Sequence, residues 1–121
     1  MPLVAAAVCP HPPLIVPEIA GGAAAELDDL RAAGDAAVAR LVASGAQTIV
    51  VLGTDERSGE RAAPVRGSFA PWGVPLTVRL GGPFSGPDGV GNLPLSLLVG
   101  AWLLTRSERL GVTYRMATVR Q

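Results

Sequence analysis

Lysine is absent from this 121-residue chain, and cysteine and histidine occur once each, as Cys9 and His11. All ten basic residues are arginines, spread along the chain and balanced by ten acidic residues. No basic patch therefore argues for nucleic acid or for an anionic membrane surface. The glycine pairs lack the lysine and spacing that cradle phosphates, which excludes a P-loop. A lone cysteine excludes an intrachain disulfide and fits a reducing, cytoplasmic setting. A lone histidine, with no elbow motif around Ser58 or Ser68, gives no support to a hydrolase triad. Long apolar runs are missing too. The longest, 93–104, is about half the length a membrane span needs. The start, Met1-Pro2-Leu3-Val4, has no charged region ahead of an apolar one, so no signal peptide is read. There is no internal repeat and no low-complexity tract.

What the chain does have is apolar residues. They make up 49% of the total, and mean hydropathy is +0.38. Much of this is alanine, but the balance still predicts apolar surface covered by another segment or a second copy. The length fits a single domain over 1–121. Abundant alanine, glycine, proline and arginine match the codon usage of a G- and C-rich genome and carry no functional meaning.

Punctuation divides the chain into elements. Residues 3–9 are short, apolar and bounded by proline, which predicts a buried strand. The next stretch, 10–22, holds four prolines and two glycines and reads as a loop. Leu27, Leu30, Val38, Leu41 and Val42 form an apolar stripe that predicts a helix over 24–44, capped by Gly45. The run Thr48-Ile49-Val50-Val51-Leu52-Gly53 is β-branched and continuously apolar, as in a strand buried on both faces of a parallel sheet. Residues 54–72 read as a long irregular connection, 74–80 as an edge strand, and 81–92 as a glycine-rich loop. A helix over 94–106, apolar almost all round, and a strand over 113–119 complete the chain. The fold class is α/β: a mainly parallel sheet of about four strands with helices on its faces. Two helices are too few to cover both faces, so the domain reads as an incomplete three-layer α/β/α arrangement.

His11 lies where the first strand should end, and ligands of α/β proteins bind just outside the carboxyl ends of strands. Imidazole is the commonest metal ligand. Pro10, Pro12 and Pro13 stiffen the backbone around it. Asp55 and Glu56 follow the second strand and are the acidic residues that the same edge of the sheet would bring near. The alternative for all three is structural: a loop histidine bonded to backbone, and a solvated turn. Cys9 reads as a small buried apolar residue.

The segment from Leu3 through Cys9-Pro10-His11-Pro12-Pro13-Leu14 to Glu18 resembles the opening of the class III extradiol ring-cleavage dioxygenase superfamily, the group of the LigB-type catalytic chain and its Memo-like relatives. Gly21-Gly22 to Leu30, Val50-Val51-Leu52-Gly53 and Leu95 to Leu104 look most like actinobacterial LigB-like members, and the likeness is colinear over nearly the whole chain. The resemblance implies a non-haem Fe(II) enzyme that opens a catechol-like aromatic ring, with iron held by two histidines and a glutamate. His11 matches the first histidine. Where the second should stand, Thr54-Asp55-Glu56-Arg57 has none, and the glutamate would fall beyond Gln121. The family domain is about twice this length, so the chain reads as its N-terminal half, within the usual size range of domains. Two expectations follow. One is a dioxygenase-like protein with a degenerate metal site, with Asp55 or Glu56 beside His11 and Zn(II) as an alternative to iron. The other is a non-catalytic Memo-like binding or assembly module, which self-associates or pairs with a missing C-terminal segment.

Overall fold

The computed structural model describes residues 2–62, 64–81, 93–107 and 111–120. Its elements in chain order are α1 (Pro17–Ala20), α2 (Asp28–Ala43), β1 (Thr48–Asp55), β2 (Gly59–Ala62), β3 (Val65–Ser68), β4 (Thr77–Leu80), α3 (Leu95–Thr105) and β5 (Thr113–Arg120), with short 3-10 turns at Pro13–Ile15, Gly21–Leu27 and Ala70–Trp72. The chain is thus a mixed α/β structure, as its patterning predicts.

The sheet arrangement differs from the expected one. β1 and β5 pair in parallel over all eight residues, from Thr48 with Thr113 to Asp55 with Arg120. β2 pairs antiparallel with the far side of β5, giving the order β1-β5-β2. β3 and β4 form a separate antiparallel pair. The expected edge strand over 74–80 is therefore Thr77–Leu80, and its partner comes from the stretch expected to be irregular. The polar composition of Gly59–Ala62 and Val65–Ser68 hides these strands, because each is only four residues long and too short for apolar alternation to show.

Residues 3–9 are not a strand here. The segment 2–12 is an arm without regular secondary structure. Its burial nevertheless alternates: Ala5, Ala7 and Cys9 are half-buried, while Val4, Ala6 and Val8 are exposed. The glycine-rich stretch 82–92 lies outside the described residues.

The core explains the helices. α3 packs against β1 on one side and against β4 on another, so the two sheets enclose it. Leu97, Leu98, Val99, Ala101, Trp102, Leu103 and Leu104 are all buried, as an all-round apolar helix requires. Close approach depends on small residues. A Cβ on Gly100 would lie 2.7 Å from Val51 Cγ1, and one on Gly67 would lie 2.8 Å from Leu98 Cδ1. α2 buries Arg31, Gly34, Val38 and Val42. It begins at Asp28 because Gly21–Leu27 winds as 3-10, and Leu30, expected in the buried stripe, is exposed.

Both longer helices lie on one face of the β1-β5-β2 sheet. The other face is open: Val50 is 57% exposed, Leu52 68% and Val119 51%. This corrects the expectation that Thr48–Gly53 is buried on both faces. A continuous apolar run implies cover on both sides, but the described residues supply cover on one.

Candidate functional site

A cleft of about 280 Å³ runs between the N-terminal arm and β1. Ala7, Cys9, Pro10 and His11 form its arm side, and residues 49–54 its β1 side. Val38 and Leu41 of α2, with Leu103 and Leu104 of α3, give it an apolar wall. Polar groups come from His11, Thr54 and Ser96.

Each polar group is placed by local sequence. His11 is held among Pro10, Pro12 and Pro13. The turn after it closes with Ile15 N–H donating to Pro12 O and Val16 N–H donating to Pro13 O, both at 3.1 Å. That turn is fixed from below by Arg31. Its Nε donates to Ile15 O at 2.9 Å, and Nη1 donates to Asp28 at 2.8 Å. Arg31 is buried, and its hydrogen bonds to Asp28 and to Ile15 O offset the cost of taking a guanidinium out of water. Ser96 stands in the first turn of α3 and donates from Oγ to Thr54 O at 2.9 Å. This contact works because residue 53 is glycine: a Cβ there would lie 2.7 Å from Ser96 Cβ.

His11 lines the cleft and is exposed, so its imidazole is free to meet a ligand. Asp55 and Glu56 do not line it. Asp55 is the last residue of β1, opposite Arg120, and Glu56 is exposed in the bend that follows. That bend is tied to β5 instead: Thr118 Oγ1 donates to Arg57 O at 2.8 Å, and Arg120 N–H donates to Ser58 Oγ at 2.9 Å. The structure therefore brings His11 to the carboxyl-end residues of β1 without bringing the two acidic side chains to His11. Burial pushes the Cys9 thiol above its ordinary value, so at neutral pH it is a protonated thiol, not a metal-ready thiolate.

Among the described residues, no group of three or more His, Cys, Asp or Glu side chains could hold a metal ion. A ferrous site needs two imidazoles and a carboxylate converging on one face. The donor set around His11 does not fit it.

Sequence reasoning pointed to His11 but missed Ser96, Gly53 and Arg31. Gly53 inside an apolar strand was the available signal, since a strand glycine often marks close approach of another element. No family model, curated protein or solved structure matches this chain. Among the described residues, no helix is long and apolar enough to cross a membrane.

Proposed function

We propose that this chain is an extradiol-dioxygenase-like, LigB-type α/β domain whose cleft binds a small catechol-like aromatic and does not by itself open the ring. The observation that supports this reading is the cleft's composition. Apolar walls from α2 and α3 suit a flat ring, and His11, Thr54 and Ser96 provide a few polar groups to orient a hydroxyl, the usual make-up of a small-molecule site. The His11 imidazole can exchange a hydrogen bond with that hydroxyl in either direction. Ser96 Oγ already donates to Thr54 O, so it meets a ligand as an acceptor.

The metal site is degenerate in this reading. Fe(II) is what the resemblance implies and Zn(II) is the alternative. Of His11, Asp55 and Glu56, only His11 lines the cleft, and even with Asp55 or Glu56 added, two protein ligands fall short of the three typical of catalytic centres. The complete domain would be three-layered and mainly parallel, with further chain or a second copy over the Val50–Leu52–Val119 face. A cytoplasmic setting belongs to the same proposal. That open face also favours the second reading, a Memo-like assembly module that holds a partner and no substrate.

Titration with catechol, Fe(II) and Zn(II), on the wild type and on His11→Ala, tests the proposal. Catechol binding should weaken severalfold in His11→Ala, metal binding should be weak, and ring-opened product should be absent. Tight stoichiometric iron with turnover would overturn the degenerate site. Equal catechol binding by both proteins would remove His11 from the site, and no binding by either would leave the assembly reading.

A further inference from the structure

β1 is the edge of its sheet, and among the described residues no strand pairs with its outer side. Which backbone groups face that edge follows from the pairing. In a parallel ladder, alternate residues turn both N–H and C=O towards the same neighbour. Thr113 N–H donates to Gln47 O at 2.8 Å, so the odd-numbered residues of β1 face β5. The even-numbered residues, Thr48, Val50, Leu52 and Thr54, face the open edge. Thr54 O accepts from Ser96 Oγ. Among the described residues, no hydrogen bond closes on the main chain of Val50 or Leu52. An open edge with exposed Val50 and Leu52 side chains is a template for another strand.

The segment whose residues 7–11 line the cleft beside this edge, Val8 excepted, is the chain's own arm. It shares the cleft with β1, and it already carries the two-residue alternation of a strand. Ala5, Ala7 and Cys9 turn towards the protein. Val4 and Val8 turn out, as Val50 and Leu52 do on β1. Val8 is 98% exposed. The arm is joined to β1 through helices, and a strand–helix–strand connection places its strands in parallel. Tethering by Pro10–Pro13 keeps the arm beside the edge at a high effective concentration.

We propose that residues 3–9 pair in parallel with the open edge of β1 within the same molecule, as a fourth strand of the sheet, and that this pairing closes the cleft. Strands in a sheet lie about 4.8 Å apart, which leaves no room for a ligand between the two backbones. The arm is then a strap, and it competes with any ligand for the same space. The pairing stands on backbone geometry alone; only its meaning as regulation rests on the cleft being a ligand site.

Parity makes the pairing testable. With the even residues of β1 facing the arm, the odd residues of a parallel arm face β1. Ala5 and Ala7 N–H therefore donate into the ladder, while Ala6 N–H faces solvent. Proline removes a donor and is tolerated on an edge strand where its missing N–H would face solvent. Amide hydrogen exchange by NMR on the full chain, on Ala7→Pro and on Ala6→Pro reads this directly. Ile49, Val51 and Gly53, which face β5, serve as internal controls for folding.

The expected result is that Val50 and Leu52 amides exchange about tenfold or more slowly than unpaired amides in the full chain and in Ala6→Pro, and lose that protection in Ala7→Pro. Unprotected Val50 and Leu52 in the full chain would overturn the proposal. So would loss of protection in Ala6→Pro with its retention in Ala7→Pro, which would make the pairing antiparallel. Protection that rises with protein concentration would also overturn it, because the strand would then come from a second copy. No ligand enters the measurement, so its failure is distinct from failure of the catechol reading.

Discussion

Arg31 and Cys9 show how burial sets the behaviour of single side chains near the cleft. Arg31 donates to the Ile15 carbonyl beneath the proline-rich turn, and removal of its head group leaves that carbonyl without its donor. Arg31→Met keeps most of the apolar stem and removes the donors. It should cost about 1–3 kcal/mol of stability. The midpoint of urea unfolding measures this, and an unchanged midpoint would show that water replaces the guanidinium. Cys9 should be a slow nucleophile. Its pKa is raised by burial, so at neutral pH it holds less thiolate than an exposed thiol. Alkylation by iodoacetamide should be slower than for a small free thiol, and its rate should climb through a pH above the ordinary thiol range. A midpoint at or below that range would contradict the half-buried position of Cys9.

At the scale of elements, the fit of α3 onto β1 rests on missing side chains. Gly53 and Gly100 let the helix approach β1, and Gly67 does the same for the β3–β4 pair. Gly100→Ala places a methyl group 2.7 Å from Val51 Cγ1, on a helix with buried residues on both sides of this position. Alanine favours helix by about 1 kcal/mol over glycine, and overpacking costs about 1–3 kcal/mol, so the clash should win and the variant should be less stable. Thermal unfolding of Gly100→Ala decides the sign. A rise in melting temperature would mean that Val51 moves aside freely.

For the whole molecule, the open sheet face governs behaviour in solution. Val50, Leu52 and Val119 are exposed together on one face of the β1-β5-β2 sheet. A lysine at an exposed strand position is a common way to suppress unwanted pairing. The wild type should therefore associate as concentration rises, and Leu52→Lys should shift it towards monomer in sedimentation velocity. A wild type that stays monomeric at high concentration would show that the patch is too small to drive association on its own. Arg106, by contrast, contributes little to the whole. It forms a two-pronged pair with Asp35, at 2.7 and 2.9 Å, and lies over the Trp102 ring, but both charged groups are partly solvated.

Local patterning determined much of this protein. The strands Thr48–Asp55 and Thr113–Arg120, the helix Leu95–Thr105 and the body of α2 all follow from runs and periods within a dozen residues. His11 followed from its place after the first apolar run. Three features lay beyond such reasoning, each for a physical reason. Apolar periodicity says that a face wants cover, not where cover is missing: the count of two helices already implied an uncovered face, but nothing in Ile49-Val50-Val51-Leu52 marked Val50 and Leu52 as the residues left open. Residues 3–9 have a strand's composition, but a strand forms only when a neighbour's edge accepts its hydrogen bonds, and in the structure these residues form no strand. Asp55 and Glu56 follow β1 as expected, yet the turn that carries them is bound to β5 through Thr118 and Ser58. Where a side chain ends up is set by contacts between residues about sixty positions apart, and only the tertiary structure holds those.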